Sequence, residues 1–179
     1  MMPEPVAAVA IVHARDPEDA VLLMRRTERA DDPWSGHWSC PGGRRDAQDI
    51  DLLHTALREL EEECGIRLQR GHLETALPHR IARRSEPPYL LVAPFVFRVD
   101  RHLPTVLDAG EAAEAMWVPL NILRDPARHA WQSVPGRPPE VHFPGVLLNR
   151  TPLWGFTYRL LMDWLGIPEP PVASAAENH

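Results

Sequence analysis

The chain has 179 residues, 44% of them hydrophobic and 25% charged, and a formal net charge of −6. That length is most simply one domain with a core of its own, and the acidic balance argues against a protein that coats nucleic acid. Its two cysteines provide neither a disulfide framework nor a zinc spacing, and no apolar run reaches the roughly 18 residues of a membrane helix.

The opening MMPEPVAAVAIV has no basic stretch ahead of its apolar run. It does not read as a signal peptide, and a cytoplasmic chain is expected. β-Branched content predicts a strand over residues 6–13, a turn over 15–19 and a second, buried strand over 20–24. The basic run from Arg25 to Arg29 is expected to leave the sheet. Two readings stand for Arg25 and Arg26: bidentate phosphate ligands, or surface arginines of a loop. Residues 32–39 are aromatic and polar, and Trp34 and Trp38 read either as core residues or as platforms for a base.

The most informative stretch is residues 42–66, GGRRDAQDIDLLHTALRELEEECGI. Pro41-Gly42-Gly43 opens it as a turn, and Gly65 closes a helix pattern. At about 100° per residue, Leu53, Ala56, Leu57, Leu60 and Cys64 make one apolar stripe that should face a core. Arg58 and Glu61 fall to one side of the stripe. Glu59 and Glu63 stack on the other, with Glu62 beside them. Like charges at that spacing cost roughly 0.2–0.5 kcal/mol per pair, a sign that a bound divalent cation reverses. An all-oxygen donor set suits Mg²⁺ or Mn²⁺, which also bind substrate phosphates. A solvated acidic face is the alternative for a glutamate cluster taken by itself. The glycine pair tolerates φ > 0 and lets a carbonyl or N–H come close to a ligand. Cys40 and Cys64 sit among apolar residues and read as buried thiols.

Beyond the helix, residues 68–77 lead through Pro78 into a polar strand. Arg80, Arg83 and Arg84 give that strand a positive bias, read as a solvated edge or as a phosphate contact. Pro87-Pro88 marks a turn. Residues 89–99 are the clearest long strand, and Pro94 inside it predicts an edge or a bulge. Glu111 and Glu114 lie in an acidic segment that runs into Trp117-Val118-Pro119-Leu120. A helix over 121–129 is interrupted by Pro126. Residues 132–144 hold four prolines and little periodicity, as expected of a long loop that covers a substrate. A last helix opens at Leu153-Trp154-Gly155-Phe156-Thr157-Tyr158 and runs to about Leu165. Residues 168–179 read as a disordered tail, which leaves a single domain over 1–167. Strands alternating with two main helices imply an α/β/α sandwich around a mixed sheet.

The run from Arg58 to Ile66 resembles the Nudix box, G-x5-E-x7-R-E-U-x-E-E-x-G-U, with U aliphatic, and matches its second half at every specified position. In the first half, the interval from Gly43 to Arg58 is one residue longer than the pattern, and Asp49 or Asp51 stands where a Glu is expected. The longer interval with TALRE, the E-A-A-E segment and the W-G-F-T turn resemble the coenzyme A diphosphatase subgroup. That subgroup's basic motif is represented only in part, by Leu22, Leu23, Arg26 and Gly36, with Asp31 at its second basic position. The resemblance implies the Nudix fold and hydrolysis of a diphosphate linkage in a nucleoside diphosphate derivative, with Mg²⁺ or Mn²⁺ held by Glu59, Glu62 and Glu63. Gly42 or Gly43 would complete the coordination, Glu63 or Glu111 (then Glu114) would take a proton from water, and Arg58 would orient the glutamates, Glu62 being its nearest partner. Coenzyme A or an acyl derivative is the substrate implied by the subgroup, with Arg25, Arg29 or Arg83 meeting its 3′-phosphate. ADP-ribose, an oxidised nucleotide or a dinucleoside polyphosphate is the alternative substrate. A non-catalytic nucleotide-sensing regulator is the alternative class. The expected partner is a small molecule, with no nucleic acid and no membrane, and the sequence does not address oligomeric state.

Overall fold

The computed structural model describes residues 4–30, 36–82 and 89–168. The expectations for Asp31, Trp34, Arg83, Arg84, Pro87, Pro88 and the tail beyond Pro168 lie outside the described residues.

The chain builds a mixed sheet with a helical layer on each face, as the sequence implies. β1 (Ala7–Asp16) pairs antiparallel with β2 (Ala20–Arg26) on one side. β2 continues outward to the short β3 (Trp38–Ser39). β4 (Gly42–Arg44) folds back onto β1, bringing Val9 opposite Gly42 and Ala8 opposite Gly43. The helix α1 (Leu52–Cys64) follows, then a 3₁₀ turn, β5 (Leu73–Ala76) and β6 (Arg80–Ile81). β7 (Leu91–Arg101) runs parallel to β1, with β5 and β6 antiparallel on its other side. β8 (Ala112–Pro119) pairs antiparallel with β2.

Period-2 alternation decides which residue faces which layer. Ala8, Ala10, Val12 and Ala14 of β1 point to the α1 face and meet Leu53, Ala56, Leu60 and Cys64. Small side chains there let the helix sit close to the sheet. Ile11 of β1, with Val21 and Leu23 of β2, points the other way, into a second apolar cluster. That cluster is closed by α2 (Leu120–Arg124), a small antiparallel sheet of β9 (His129–Gln132), β10 (Phe143–Leu148) and β11 (Thr151–Trp154), and the helix α3 (Gly155–Leu165).

Several local expectations change. β1 extends to Asp16, past residue 13. Arg25 and Arg26 stay in β2 rather than leaving the sheet, because β8 pairs with both of them, with a bulge between them. Pro94 lies in an interior strand, not an edge: β1 flanks β7 on one side, and on the other β6 pairs with Leu91 and Val92 while β5 begins at Phe95. Pro94 sits between those partners, where a ladder N–H is dispensable, and its carbonyl accepts from Leu77 N–H. Residues 121–129 make a five-residue α-helix, a 3₁₀ turn at Pro126 and then β9. The proline-rich stretch connects β9 and β10, so the expected long loop is shorter and bounded by a hairpin sheet. Trp38 packs in the core instead of offering its face to a base: its indole N–H donates to Leu148 O and Thr151 O, both at 3.1 Å. Both cysteines are free and buried, and burial pushes each thiol up to about 12. Among the described residues, no helix is long and apolar enough to cross a membrane.

Candidate active site

α1 is well delimited, and its ends decide where its acids point. Asp51 caps its N-terminus, accepting from His54 N–H at 2.8 Å. Gly65 ends it in the left-handed conformation at φ 68°, donating its N–H to Glu61 O. With the apolar stripe against the sheet, Glu63 is drawn inward to 3% exposure. Its neighbour Glu61 faces out and pairs with Arg67 at 2.7 Å.

The Gly-Gly pair, expected in a turn, lies instead in strand β4, against this acidic side of α1. Neither Gly42 nor Gly43 uses a positive φ; both are glycine because something passes too close for a side chain. A Cβ on Gly42 would lie 2.4 Å from Ala8 O, and one on Gly43 would lie 2.5 Å from a carboxylate oxygen of Glu59. Gly42 N–H also donates to Glu63 Oε1 at 2.8 Å. The third acid, Glu111, comes from the loop before β8, and the carboxylate oxygens of Glu59, Glu63 and Glu111 lie within 4.8 Å of one another. They line a cavity of about 210 Å³ together with Arg26, Thr27, Arg29, Gly42, Gly43 and Gly110.

The electrostatics show strain that a cation would relieve. Burial pushes the Glu63 carboxyl up to about 8, and the charges of Glu59 and Glu111 add to the effect. The Gly42 N–H and the Arg26 charge oppose it. Burial also raises Glu59, with Arg58 opposing and Glu62 and Glu111 reinforcing. Three converging carboxylates, with no thiolate or imidazole among them, fit a hard divalent ion such as Mg²⁺ or Mn²⁺.

The remaining predicted residues fall around this group. Glu62 is half exposed and held by Arg58 Nη1 at 3.1 Å, outside the three-acid group but near enough for its charge to raise Glu59. Arg26 lines the cavity. Arg25 does not; its Nε lies 3.8 Å from Glu114. Glu114 is thus taken up by Arg25 and by Asn149, leaving Glu111 as the acid of this segment that reaches the site.

Arg58 corrects one expectation. Its nearest partner is Asp49, not Glu62: Nε and Nη2 reach the two Asp49 oxygens at 2.8 and 2.9 Å, whereas Glu59 and Glu62 each lie 3.1 Å from Nη1. Asp49 is 3% exposed and also accepts from Asp46 N–H and Thr55 Oγ1. These bonds hold its carboxyl well below the usual range, the Arg58 bond foremost. Asp51 is committed to the helix cap, so Asp49 is the residue that replaces the first Glu of the pattern.

Size alone would point elsewhere. A cavity of about 820 Å³ lies between the β6 segment and α3, but among its lining residues the one carboxylate, Asp163, is paired with Arg80.

Residues 4–136 match the NUDIX domain, well over half of the chain. The chain belongs to the NUDIX family. It is 42% identical over 128 residues to an uncharacterised Nudix hydrolase NudL of Yersinia enterocolitica, covering 72% of this chain and 63% of that one. A mitochondrial coenzyme A diphosphatase, NUDT8 of Mus musculus, is 41% identical over 54 residues, 30% of this chain and 26% of that one. The chain thus spans less than two thirds of the length of the curated relatives it matches. Among solved structures, a bifunctional NMN adenylyltransferase/ADP ribose pyrophosphatase of Francisella tularensis, complexed with AMP and a Mn ion, superimposes with a TM-score of 0.60 at 18% identity, covering 93% of this chain and 42% of that one. At that identity the likeness is one of fold. Within this NUDIX fold, the sequence did not single out Thr27 or Gly110 as cavity residues. Neither carries a motif, and only the pairing of β2 with β8 brings them beside α1.

Proposed function

We propose that this NUDIX chain is a metal-dependent hydrolase of the diphosphate linkage in a nucleoside diphosphate derivative. The observation that carries the reading is the convergence of Glu59, Glu63 and Glu111 beside Gly42 and Gly43 of β4. A divalent cation held by these acids, with Glu62 at the rim, would neutralise bridging phosphate oxygens and lower the pKa of a bound water. The chain's own residues do the rest. Arg58, anchored by Asp49, fixes Glu59 and Glu62. β4 orients Glu63 through the Gly42 N–H. Arg26, which lines the cavity, supplies positive charge to the phosphates. Water adds to one phosphorus, the bridging P–O bond breaks, its oxygen leaves with the other phosphate, and Glu63 or Glu111 accepts the water's proton.

Coenzyme A or an acyl derivative is our proposed substrate, cleaved to 3′,5′-adenosine bisphosphate and a 4′-phosphopantetheine product. The likeness to the mouse coenzyme A diphosphatase over 54 residues supports it. So do the lengthened box and the W-G-F-T turn, which sits at the head of α3. The test is kcat/KM for coenzyme A, dephospho-coenzyme A and ADP-ribose with Mg²⁺ and with Mn²⁺. Coenzyme A should be best, because a cation left facing no 3′-phosphate is costly. A preference for ADP-ribose of about tenfold or more would overturn the substrate and leave the reaction class standing.

A further inference from the structure

Two of the three converging acids are held by a helix, but Glu111 comes from a loop and is exposed. A loop acid meets two helix acids only if its backbone is tied down. On one side, the loop is tied to the end of α1: Val106 N–H donates to Cys64 O at 2.9 Å and Asp108 N–H to Glu63 O at 3.4 Å. Inside the loop, Asp108 turns the chain, its carbonyl accepting from Glu111 N–H and Ala112 N–H and its side chain from Gly110 N–H. On the other side, three successive carbonyls are engaged from beyond the end of β2. Thr27 Oγ1 donates to Ala109 O at 3.0 Å, Arg29 Nη2 donates to Gly110 O, and Thr27 N–H donates to Glu111 O at 3.0 Å.

Resting on the functional reading above, we propose that Thr27 and Arg29 are positioning residues that hold the 108–111 loop so that the Glu111 carboxylate meets Glu59 and Glu63. The spacing supports this. Thr27 and Arg29 follow the end of β2, and their side chains reach neighbouring carbonyls of one strap. The Thr27 backbone adds the third bond, which fixes the register between the two segments.

The test separates positioning from general stability and from substrate contact. Thr27→Val, Thr27→Ser, Arg29→Ala and Glu111→Gln are compared with the Thr27→Val/Glu111→Gln and Arg29→Ala/Glu111→Gln doubles. The readouts are Mn²⁺ affinity of the metal-free protein by titration, hydrogen exchange at the Glu111 and Ala112 amides, and kcat. Thr27→Val and Arg29→Ala should each weaken Mn²⁺ binding and lower kcat by about tenfold, with faster exchange at those amides, and Thr27→Ser should restore all three. In the Glu111→Gln background, neither should lower Mn²⁺ affinity or kcat further, because the residue they act through has lost its charge, while exchange at the two amides should still quicken. Equal losses in both backgrounds, or unchanged Mn²⁺ affinity when Glu111→Gln itself weakens it, would overturn the proposal. If Glu111→Gln alone leaves Mn²⁺ binding and kcat intact, the positioning proposal falls while the hydrolase reading stands on Glu59 and Glu63. If the expected Mn²⁺ pattern appears in a protein that hydrolyses no diphosphate, positioning stands and the hydrolase reading falls.

Discussion

Glu63 concentrates the residue-scale chemistry. Its ordinary value is 4.5, and burial in the folded protein takes it to about 8. Between those values the folded state binds more protons than the unfolded one, so stability falls as pH rises through that window. The Tm of the metal-free protein should therefore drop from about pH 5 to about pH 8 more steeply than that of Glu63→Gln. Parallel slopes would show that Glu63 ionises freely. Added Mn²⁺ should flatten the slope of the parent, since a cation stabilises the ionised form. Helix phase makes a second residue-scale prediction. Glu59→Gln, Glu62→Gln and Glu63→Gln should each lower kcat by about 10²-fold or more, whereas Glu61→Gln, paired with Arg67 on the outer face, should leave it nearly unchanged. A comparable loss at Glu61 would mean that the outward face also takes part.

At the scale of elements, α1 is held at its head by two aspartates with different duties, and their substitutions should differ in size. Asp51→Ala removes a helix cap and should cost about 1 kcal/mol in urea denaturation. Asp49→Ala leaves Arg58 without its closest partner in a mostly buried site and should cost about 3 kcal/mol or more. Equal costs would contradict the burial of Asp49. The glycines of β4 and of the α1 cap are the other element-scale feature. Gly43→Ala should reduce kcat and Mn²⁺ affinity with little change in Tm, because its Cβ would meet the Glu59 carboxylate, a movable side chain. Gly65→Ala should instead lower stability by about 1 kcal/mol or more, since φ 68° is strained for alanine and its Cβ would lie 2.8 Å from Val106.

At the scale of the whole molecule, the sheet is a frame that brings four separate segments to one point. β4 carries the glycines to β1, α1 packs on the β1 alanines, and β8 pairs with β2 so that the loop before it reaches Thr27 and Arg29. The frame is held by apolar packing on both faces of the sheet, and the proposed chemistry calls for the cation. Excess chelator should abolish hydrolysis while leaving the folded signature in circular dichroism, and re-addition of Mg²⁺ or Mn²⁺ should restore it. Full activity in excess EDTA would refute the proposed mechanism.

The helix and the side that carries Glu59 and Glu63 were legible in the sequence because that information is local, whereas Glu62, expected in the same patch, is half exposed and held by Arg58. A 3.6-residue period decides which of Glu59, Glu61, Glu62 and Glu63 share a side, and a glycine pair followed by that helix is an uninterrupted pattern. The sandwich fold was read from strands alternating with two main helices and from the resemblance to the Nudix box. Partnerships across the chain were not legible. The sequence alone left Asp49 and Asp51 undecided, because spacing cannot tell which acid is drawn under Arg58 and which caps the helix. It pointed to Glu111 ahead of Glu114, but only the pairing of β8 with β2 turns one toward the cavity and the other toward Arg25. Pro94 looked like an edge signal, since a missing N–H usually needs an open side, and the handover from β6 to β5 supplied that opening inside the sheet. What the sequence by itself determined is the helix, its charged face and the succession of strands, since these depend on neighbours a few residues apart. What only the tertiary structure decided is which distant backbone lies against that face, because sheet pairing is set by contacts that no local period records.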